Sequence, residues 1–267
     1  MKRFITVCCV LLALAGLCYC YARWGEPGML LVGRQTFSSQ RITRDMRIVV
    51  FSDVHLGSGV DTGRLGRIVD KINAQQADAV LFLGDLFDNY GEYEDSYEAD
   101  AAQLARIDAP IKLAVWGNHD VGGKAHKIYP ETMKAAGFRL LVDEAVDLNC
   151  GVRMIGANNV TFYEPDIEGL PADDKYNVLL VHEPDFGVRV SGIQLQLSGH
   201  SHGGQVWFPL IGAPVLPGDA EIFSRGLYEK DDGGAVFVTR GIGMSILPYR
   251  FLAPPEIVVI DLKAGGV

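Results

Sequence analysis

The sequence predicts a layered α/β fold preceded by an apolar helix of membrane-spanning length. Two observations give the body. Short β-branched apolar runs alternate with helical patterns in its first half, and strands dominate the second half. Several of those runs end in turns rich in Gly, Asp and His. A third observation gives the helix: residues 4–22 are apolar apart from Thr6.

Residues 1–23 read as a single-span anchor. A run of nineteen residues, apolar but for Thr6, at helical rise just crosses a hydrocarbon core. A cleaved signal usually has a shorter apolar run. Ala15-Gly16-Leu17-Cys18 looks like a lipoprotein box, but Leu17 stands where a small residue is needed. A buried core helix would show a polar face, and this run has none. Lys2 and Arg3 place the amino terminus inside and the body outside the cytoplasm. Arg23, Arg34 and Arg41 nearly balance them, so the expected location is the cell membrane, with the body outside favoured by a narrow margin over the cytoplasmic side.

Residues 24–45 read as a connector, with Gly25, Pro27, Gly28, Gly33 and the pair Ser38-Ser39. Residues 46–263 form the expected folded body. Within it, residues 47–52 (RIVVFS) are a buried strand by β-branched content and length. A helix over 61–76 takes Asp61 as its N-cap and sets Leu65, Ile68, Val69 and Ile72 on one face. Strands follow at 79–83 and 112–116, around a helix at 97–107. Residues 130–136 begin another helix with Pro130 in its first turn. Further strands are expected at 153–155, 177–181, 194–197, 235–239 and 256–262.

Composition narrows the function. The chain of 267 residues is 48 % hydrophobic and 21 % charged, which excludes a disordered chain. Its net charge of −9 argues against nucleic acid as the main partner. Of five cysteines, Cys8, Cys9, Cys18 and Cys20 lie in the first twenty residues and Cys150 stands alone. That distribution excludes a disulfide framework in the body and a thiolate zinc site.

The strand ends carry metal-capable side chains. They are Asp53-Val54-His55, Gly84-Asp85-Leu86-Phe87-Asp88, Gly117-Asn118-His119-Asp120, His182-Glu183-Pro184 and Gly199-His200-Ser201-His202-Gly203-Gly204. Five of the six histidines lie in these turns; His126 does not. Side chains at the carboxyl ends of neighbouring strands converge on one crevice. Asp-x-His sends two side chains off an extended strand on the same face. Carboxylate, amide oxygen and imidazole suit Mn, Zn, Fe, Co or Ni. Seven candidates, Asp53, His55, Asp85, Asn118, His182, His200 and His202, exceed one tetrahedral site and suit two metals sharing a carboxylate. Each alone is more often a turn cap; all seven together are not.

The ordered set DVH, GDLFD, GNHD, VHEP and GHSHGG resembles the calcineurin-like metallophosphoesterases from about residue 47 to 262. Arg240-Gly241 and Ala253-Pro254-Pro255-Glu256 resemble their membrane-associated bacterial branch. The resemblance implies a four-layer αββα sandwich of two mixed sheets. It implies Asp53, His55, Asp85 and His202 as ligands of one divalent metal ion and Asp85, Asn118, His182 and His200 of a second. A hydroxide between the metals would attack phosphorus. His119 would serve the leaving oxygen as catalytic acid, with Asp120 orienting it; Asp120 stands where many relatives carry Glu.

Other features have plainer readings. Residues 88–100 hold six carboxylates and no cation, normally a solvated loop and helix start; beside the site they would disfavour polyanionic substrates. Asp88 is a turn residue or an acceptor behind the ligands. His126 reads as an ordinary histidine and Cys150 as a small apolar residue. Arg34, Arg41, Arg44 and Arg47 form a basic stripe near the anchor, either ordinary solvated charge or a contact for acidic lipids. Trp207, Phe208, Leu210 and Ile211 are packing, a greasy wall beside the metals or a membrane-facing surface.

The expected function is a membrane-anchored dimetal phosphoesterase acting on phosphate mono- or diesters, with lipid-linked or nucleotide-linked substrates both open. A UDP-2,3-diacylglucosamine pyrophosphatase of lipid A synthesis is the narrower alternative and needs a cytoplasmic body. A non-catalytic envelope binding module is the alternative of another class, disfavoured because no ligand is missing.

Overall fold

The computed structural model describes residues 1–265. The first helix, α1 (Lys2–Cys20), runs clear of the body with no buried residue. A π-helical turn (Tyr21–Gly25) and then a 3₁₀ turn (Glu26–Gly28) carry the chain on to Gly28, and the whole run is long and apolar enough to cross a membrane.

Two six-stranded mixed sheets form the body. The first contains β1 (Leu31–Ser39), β2 (Met46–Phe51), β3 (Ala79–Phe82), β4 (Ile111–Ala114), β5 (Arg139–Leu140) and β12 (Glu256–Ala264). Its order is β1-β12-β2-β3-β4-β5, parallel except between β12 and β2. The second contains β6 (Glu144–Asp147), β7 (Val152–Gly156), β8 (Tyr176–Leu180), β9 (Leu195–Ser198), β10 (Gly226–Glu229) and β11 (Ala235–Val238). Its order is β10-β11-β9-β8-β7-β6, antiparallel only at its two outer pairs.

The stretch 24–45 is not a free connector. Residues 31–39 form the edge strand β1, paired with β12 from Leu31–Glu256 to Ser39–Ala264. The sequence conceals this because an edge strand is solvated on one side, and Gly33 and two serines depress its β propensity. Gly33 has a packing reason: a side-chain carbon there would sit 3.2 Å from the Glu256 carboxylate.

Side-chain alternation sets the layers. Ile48 and Val50 of β2 face the second sheet and join Leu81, Val178, Leu180 and Leu197 in the core between the sheets. Val49 and Phe51 face the other way, toward α2 (Thr62–Asn73), α3 (Tyr97–Ala105) and α4 (Ile128–Ala135). Asp61 caps α2 by accepting from the Arg64 amide at 2.6 Å. Helix α4 starts two residues before the expected position, so Pro130 still falls in the first turn, where its missing N–H costs no bond. The outer face of the second sheet, with Ile155, Leu179 and Val181, is covered by the 3₁₀ turn Pro184–Val188 and loop residues such as Ile167. Short turns rather than long helices therefore make the fourth layer.

Candidate metal centre

Strands β2, β3, β4, β8 and β9 all present their carboxyl ends at one edge of the sandwich, and the five motifs follow them. The seven candidate ligands meet there; six are buried and Asn118 is half-buried. Three groups of side chains offer donor atoms within 4.8 Å of one another: Asp53, His55 and His202; His55, Asp85 and His119; Asp85, His182 and His200.

The route by which Asp53 and His55 converge differs from the expected one. Strand β2 ends at Phe51, and both residues have left-handed backbone, with φ of 53° and 48°. Asp85, His200 and His202 do too, at 58°, 67° and 52°. Such backbone costs a non-glycine residue on the order of 1 kcal/mol or more. Five candidate ligands thus curl off their strands into tight turns rather than continuing extended. Gly84 and Gly117 let the second and third turns touch: a side chain on either would strike the other turn's backbone.

Asp85 lies at the middle. Its Oδ2 is 3.4 Å from His55 Nε2 and 3.2 Å from His182 Nε2, while Oδ1 accepts from the His119 amide at 2.8 Å. Asp53 accepts from the His200 amide and has Oδ1 3.6 Å from His202 Nε2. Asn118 Oδ1 is 3.1 Å from His182 Nε2.

The histidines are held from behind. His55 donates its Nδ1–H to Asp88 Oδ1 at 2.9 Å, His182 donates Nδ1–H to the Leu83 carbonyl at 2.7 Å, and His200 donates Nε2–H to the Gly218 carbonyl at 2.8 Å. Each bond fixes a tautomer and leaves the other ring nitrogen free to ligate. Among the described residues, no Lys or Arg pairs with Asp53 or Asp85. Two buried carboxylates with no Lys or Arg partner, ringed by imidazoles that give up their protons on ligation, fit divalent metal ions.

The electrostatics agree. Burial lowers His55, but hydrogen bonds to Asp85 and Asp88 outweigh it and raise its pKa to about 9. His182 is raised above the usual histidine value by Asp85, again against burial. His202 is pushed down by burial, His55 and Arg250, and His200 by burial and His182. Asp85 is held low by the two imidazoles, despite burial. This negative focus draws cations.

His119 is half-buried beside the cluster. Its Nδ1–H donates to the Asp88 carbonyl at 2.8 Å, and Nε2 is 3.5 Å from Ser245 Oγ. Asp120 does not orient it. The Asp120 carboxylate is buried, accepting from the amides of Asp85 (2.7 Å), Leu86 (2.9 Å) and Gly117 (3.1 Å). Burial and the neighbouring Asp85 charge push its pKa up to about 7.

Residues without an assigned role in the sequence also support the site. Arg250 is fully buried and donates to the carbonyls of Gly243, Ala253 and Arg240, with Nη2 3.3 Å from His202 Nδ1. Nothing in a lone arginine near the carboxyl terminus signals this. Glu183 accepts from the Val160 amide and the Thr161 hydroxyl, pinning that loop behind His182. In the acidic stretch, Asp88 and Asn89 reach a cavity at the site, whereas Asp100 is buried against Thr62 and Tyr93. His126 is exposed and Cys150 is buried against Met46, as ordinary residues.

Comparison with known proteins gives the geometry a family. Residues 46–204 match the calcineurin-like phosphoesterases. The metallophosphoesterase YkuE of Bacillus subtilis (strain 168) is 35% identical over 94% of this chain and 91% of its own length. The phosphodiesterase YaeI of Escherichia coli (strain K12) is 28% identical over 91% of this chain and 92% of its own. A transmembrane protein with a metallophosphoesterase domain from Danio rerio is 28% identical over 82% of this chain and 53% of its own. The chain belongs to the calcineurin-like phosphoesterase family and is a metal-dependent phosphoesterase.

Proposed function

We propose that this chain is a membrane-anchored phosphoesterase that uses two divalent metal ions to hydrolyse phosphate mono- or diesters. One observation carries the reading: a single oxygen, Asp85 Oδ2, lies within 3.4 Å of imidazole nitrogens from two separate donor groups. Asp53, His55, Asp85 and His202 would hold one metal ion; Asp85, Asn118, His182 and His200 would hold the other. Bound there, two such ions offset phosphate charge and make a water nucleophilic near neutral pH. Manganese, zinc, iron, cobalt and nickel all suit this donor set.

The chain's own residues supply the rest. Asp88 and the carbonyls of Leu83 and Gly218 fix the ligand tautomers. His119, its Nδ1–H committed to the Asp88 carbonyl, turns Nε2 toward the cavity and there gives a proton to the leaving oxygen. Helix α1 anchors the body, with Lys2 and Arg3 on the cytoplasmic side and the body outside.

The test is metal content together with hydrolysis of p-nitrophenyl phosphate and bis(p-nitrophenyl) phosphate by the metal-loaded full chain. Two ions per chain, with loss of activity in Asp85→Asn, are expected. One ion per chain, or no turnover of either ester, overturns the reading. Protease accessibility of the body in intact cells tests sidedness: a protected body would place it in the cytoplasm and make nucleotide-linked lipid precursors the first substrates to assay.

A further inference from the structure

Two cavities meet at His119. The first, about 490 Å³, is walled by Val206, Val215, Leu216, Ile246 and Leu247. The second, about 510 Å³, is walled by Asp88, Asn89, Lys124 and Phe162. Asn118, His119, Ser245 and Ile246 line both. A ligand centred on the metal cluster therefore has an apolar arm available on one side and a polar recess on the other. Both volumes fall in the range of organic-ligand pockets, and inorganic phosphate needs neither.

The rim of the first cavity stays apolar where it meets solvent. Ile246 is 96% exposed, Val215 74% and Leu247 54%. A contiguous apolar rim of this kind is rare on a soluble surface and marks an interaction site. The rim is continuous with the anchor. The Arg250 amide donates to the Ala22 carbonyl at 2.9 Å. The Tyr249 ring lies 5.7 Å from Tyr19, and Phe251 lies 6.3 Å from Tyr21 and 5.8 Å from Phe208. Ile246 is four peptide steps from Arg250, so the rim sits within roughly 14 Å of that junction. Tyr19, Tyr21 and Trp24 cluster at the same end of the helix, and such aromatics settle at the headgroup level of a bilayer. Glu26, buried, accepts from the Leu252 amide at 2.8 Å, so the helix and the rim loop are fastened together.

Resting on the reading of a membrane-anchored phosphoesterase, we propose that the substrate is an amphiphilic phosphoester taken from the bilayer. Its hydrocarbon chain lies along Val215, Ile246 and Leu247, and its polar group lies toward Asn89 and Lys124. The phosphorus then sits at the metal cluster, next to His119. Hydrolysis adds the water's OH to phosphorus and its proton to the leaving oxygen, with one P–O bond broken and no further reactant.

The experiment compares two esters with the same leaving group, p-nitrophenyl methyl phosphate and p-nitrophenyl dodecyl phosphate. The full chain is reconstituted in phosphatidylcholine vesicles with Mn²⁺. The dodecyl ester should be favoured in kcat/KM by roughly 30-fold or more, because each buried methylene adds to binding. Val215→Gln and Ile246→Gln change exposed side chains that offer no metal-ligand atom, and thermal melting checks that both fold. Each should lower kcat/KM for the dodecyl ester about tenfold and for the methyl ester less than about twofold. Equal use of the two esters by the wild-type chain overturns the inference and leaves the phosphoesterase reading standing. A chain-length preference that survives in both variants also overturns it, since partition into vesicles would then be the cause. If neither ester nor p-nitrophenyl phosphate is hydrolysed, the phosphoesterase reading falls and the inference falls with it.

Discussion

His55 donates its Nδ1–H to Asp88 Oδ1 across 2.9 Å, and the main-chain carbonyl of the same aspartate accepts from His119. One residue thus orients a candidate ligand with its side chain and the candidate acid with its backbone. The two functions are separable. Asp88→Ala removes only the first, and loss of an acceptor behind a ligating histidine typically weakens metal affinity about 10–100-fold. Asp88→Asn keeps an oxygen in place and should lose less. Titration of the apoprotein with Mn²⁺ measures both; wild-type affinity in Asp88→Ala would show that the contact does not tune the site.

His119 stands close enough to His55 and Asp85 to count as a ligand by distance alone. Its proposed role is proton transfer, and the two roles separate experimentally. His119→Gln should lower kcat by about 10²–10⁴ with metal content unchanged. The loss should shrink for esters of acidic phenols, whose leaving oxygen needs no proton. A fall in bound metal would make His119 a ligand instead.

Much of this centre was legible in the sequence because strand ends in a layered α/β fold converge, and Asp53, His55, Asp85, Asn118, His182, His200 and His202 each follow a readable apolar run. The backbone that aims them was not legible. Left-handed conformations at Asp53 and His55 are imposed by packing against the Gly84 turn, as when the Asp53 amide donates to the Gly84 carbonyl at 3.0 Å. Asp120 was misread because motif proximity to His119 says nothing of which way a short side chain turns. Arg250 and β1 were invisible for a shared reason: each acquires its role through contacts more than forty residues away in sequence, with His202 and with β12.

Asp100 gives a pH dependence outside the metal cluster. Its buried carboxylate accepts from the Thr62 and Tyr93 hydroxyls, each at 2.7 Å. Burial still raises its pKa above the ordinary aspartate value, helped by the charge of Asp95. The native state therefore holds this proton more tightly than the unfolded chain does, and stability from this group falls as pH rises through the window between the two pKa values. Asp100→Asn cannot titrate. The Tm of Asp100→Asn minus that of wild type should grow upward from about pH 4, the unfolded value, and level off above the folded one. A difference that is flat with pH would show that Asp100 is not raised.

Asp120→Ala tests whether that residue serves stability or the chemistry of His119. Truncation leaves the amides of Asp85, Leu86 and Gly117 buried without an acceptor. Each unpaired donor costs about 1–3 kcal/mol, so the apoprotein should lose roughly 3–9 kcal/mol and at least about 10 °C in Tm. Asp120→Asn keeps one oxygen but turns an NH₂ group toward backbone N–H donors, so it should fall between the two. If Asp120 instead oriented His119, both variants would keep the wild-type Tm and lose kcat. The buried carboxylate also holds the Asp85 turn against the Gly117 turn, so metal affinity should fall along with stability. Unchanged melting together with unchanged metal binding would remove Asp120 from the framework of the site.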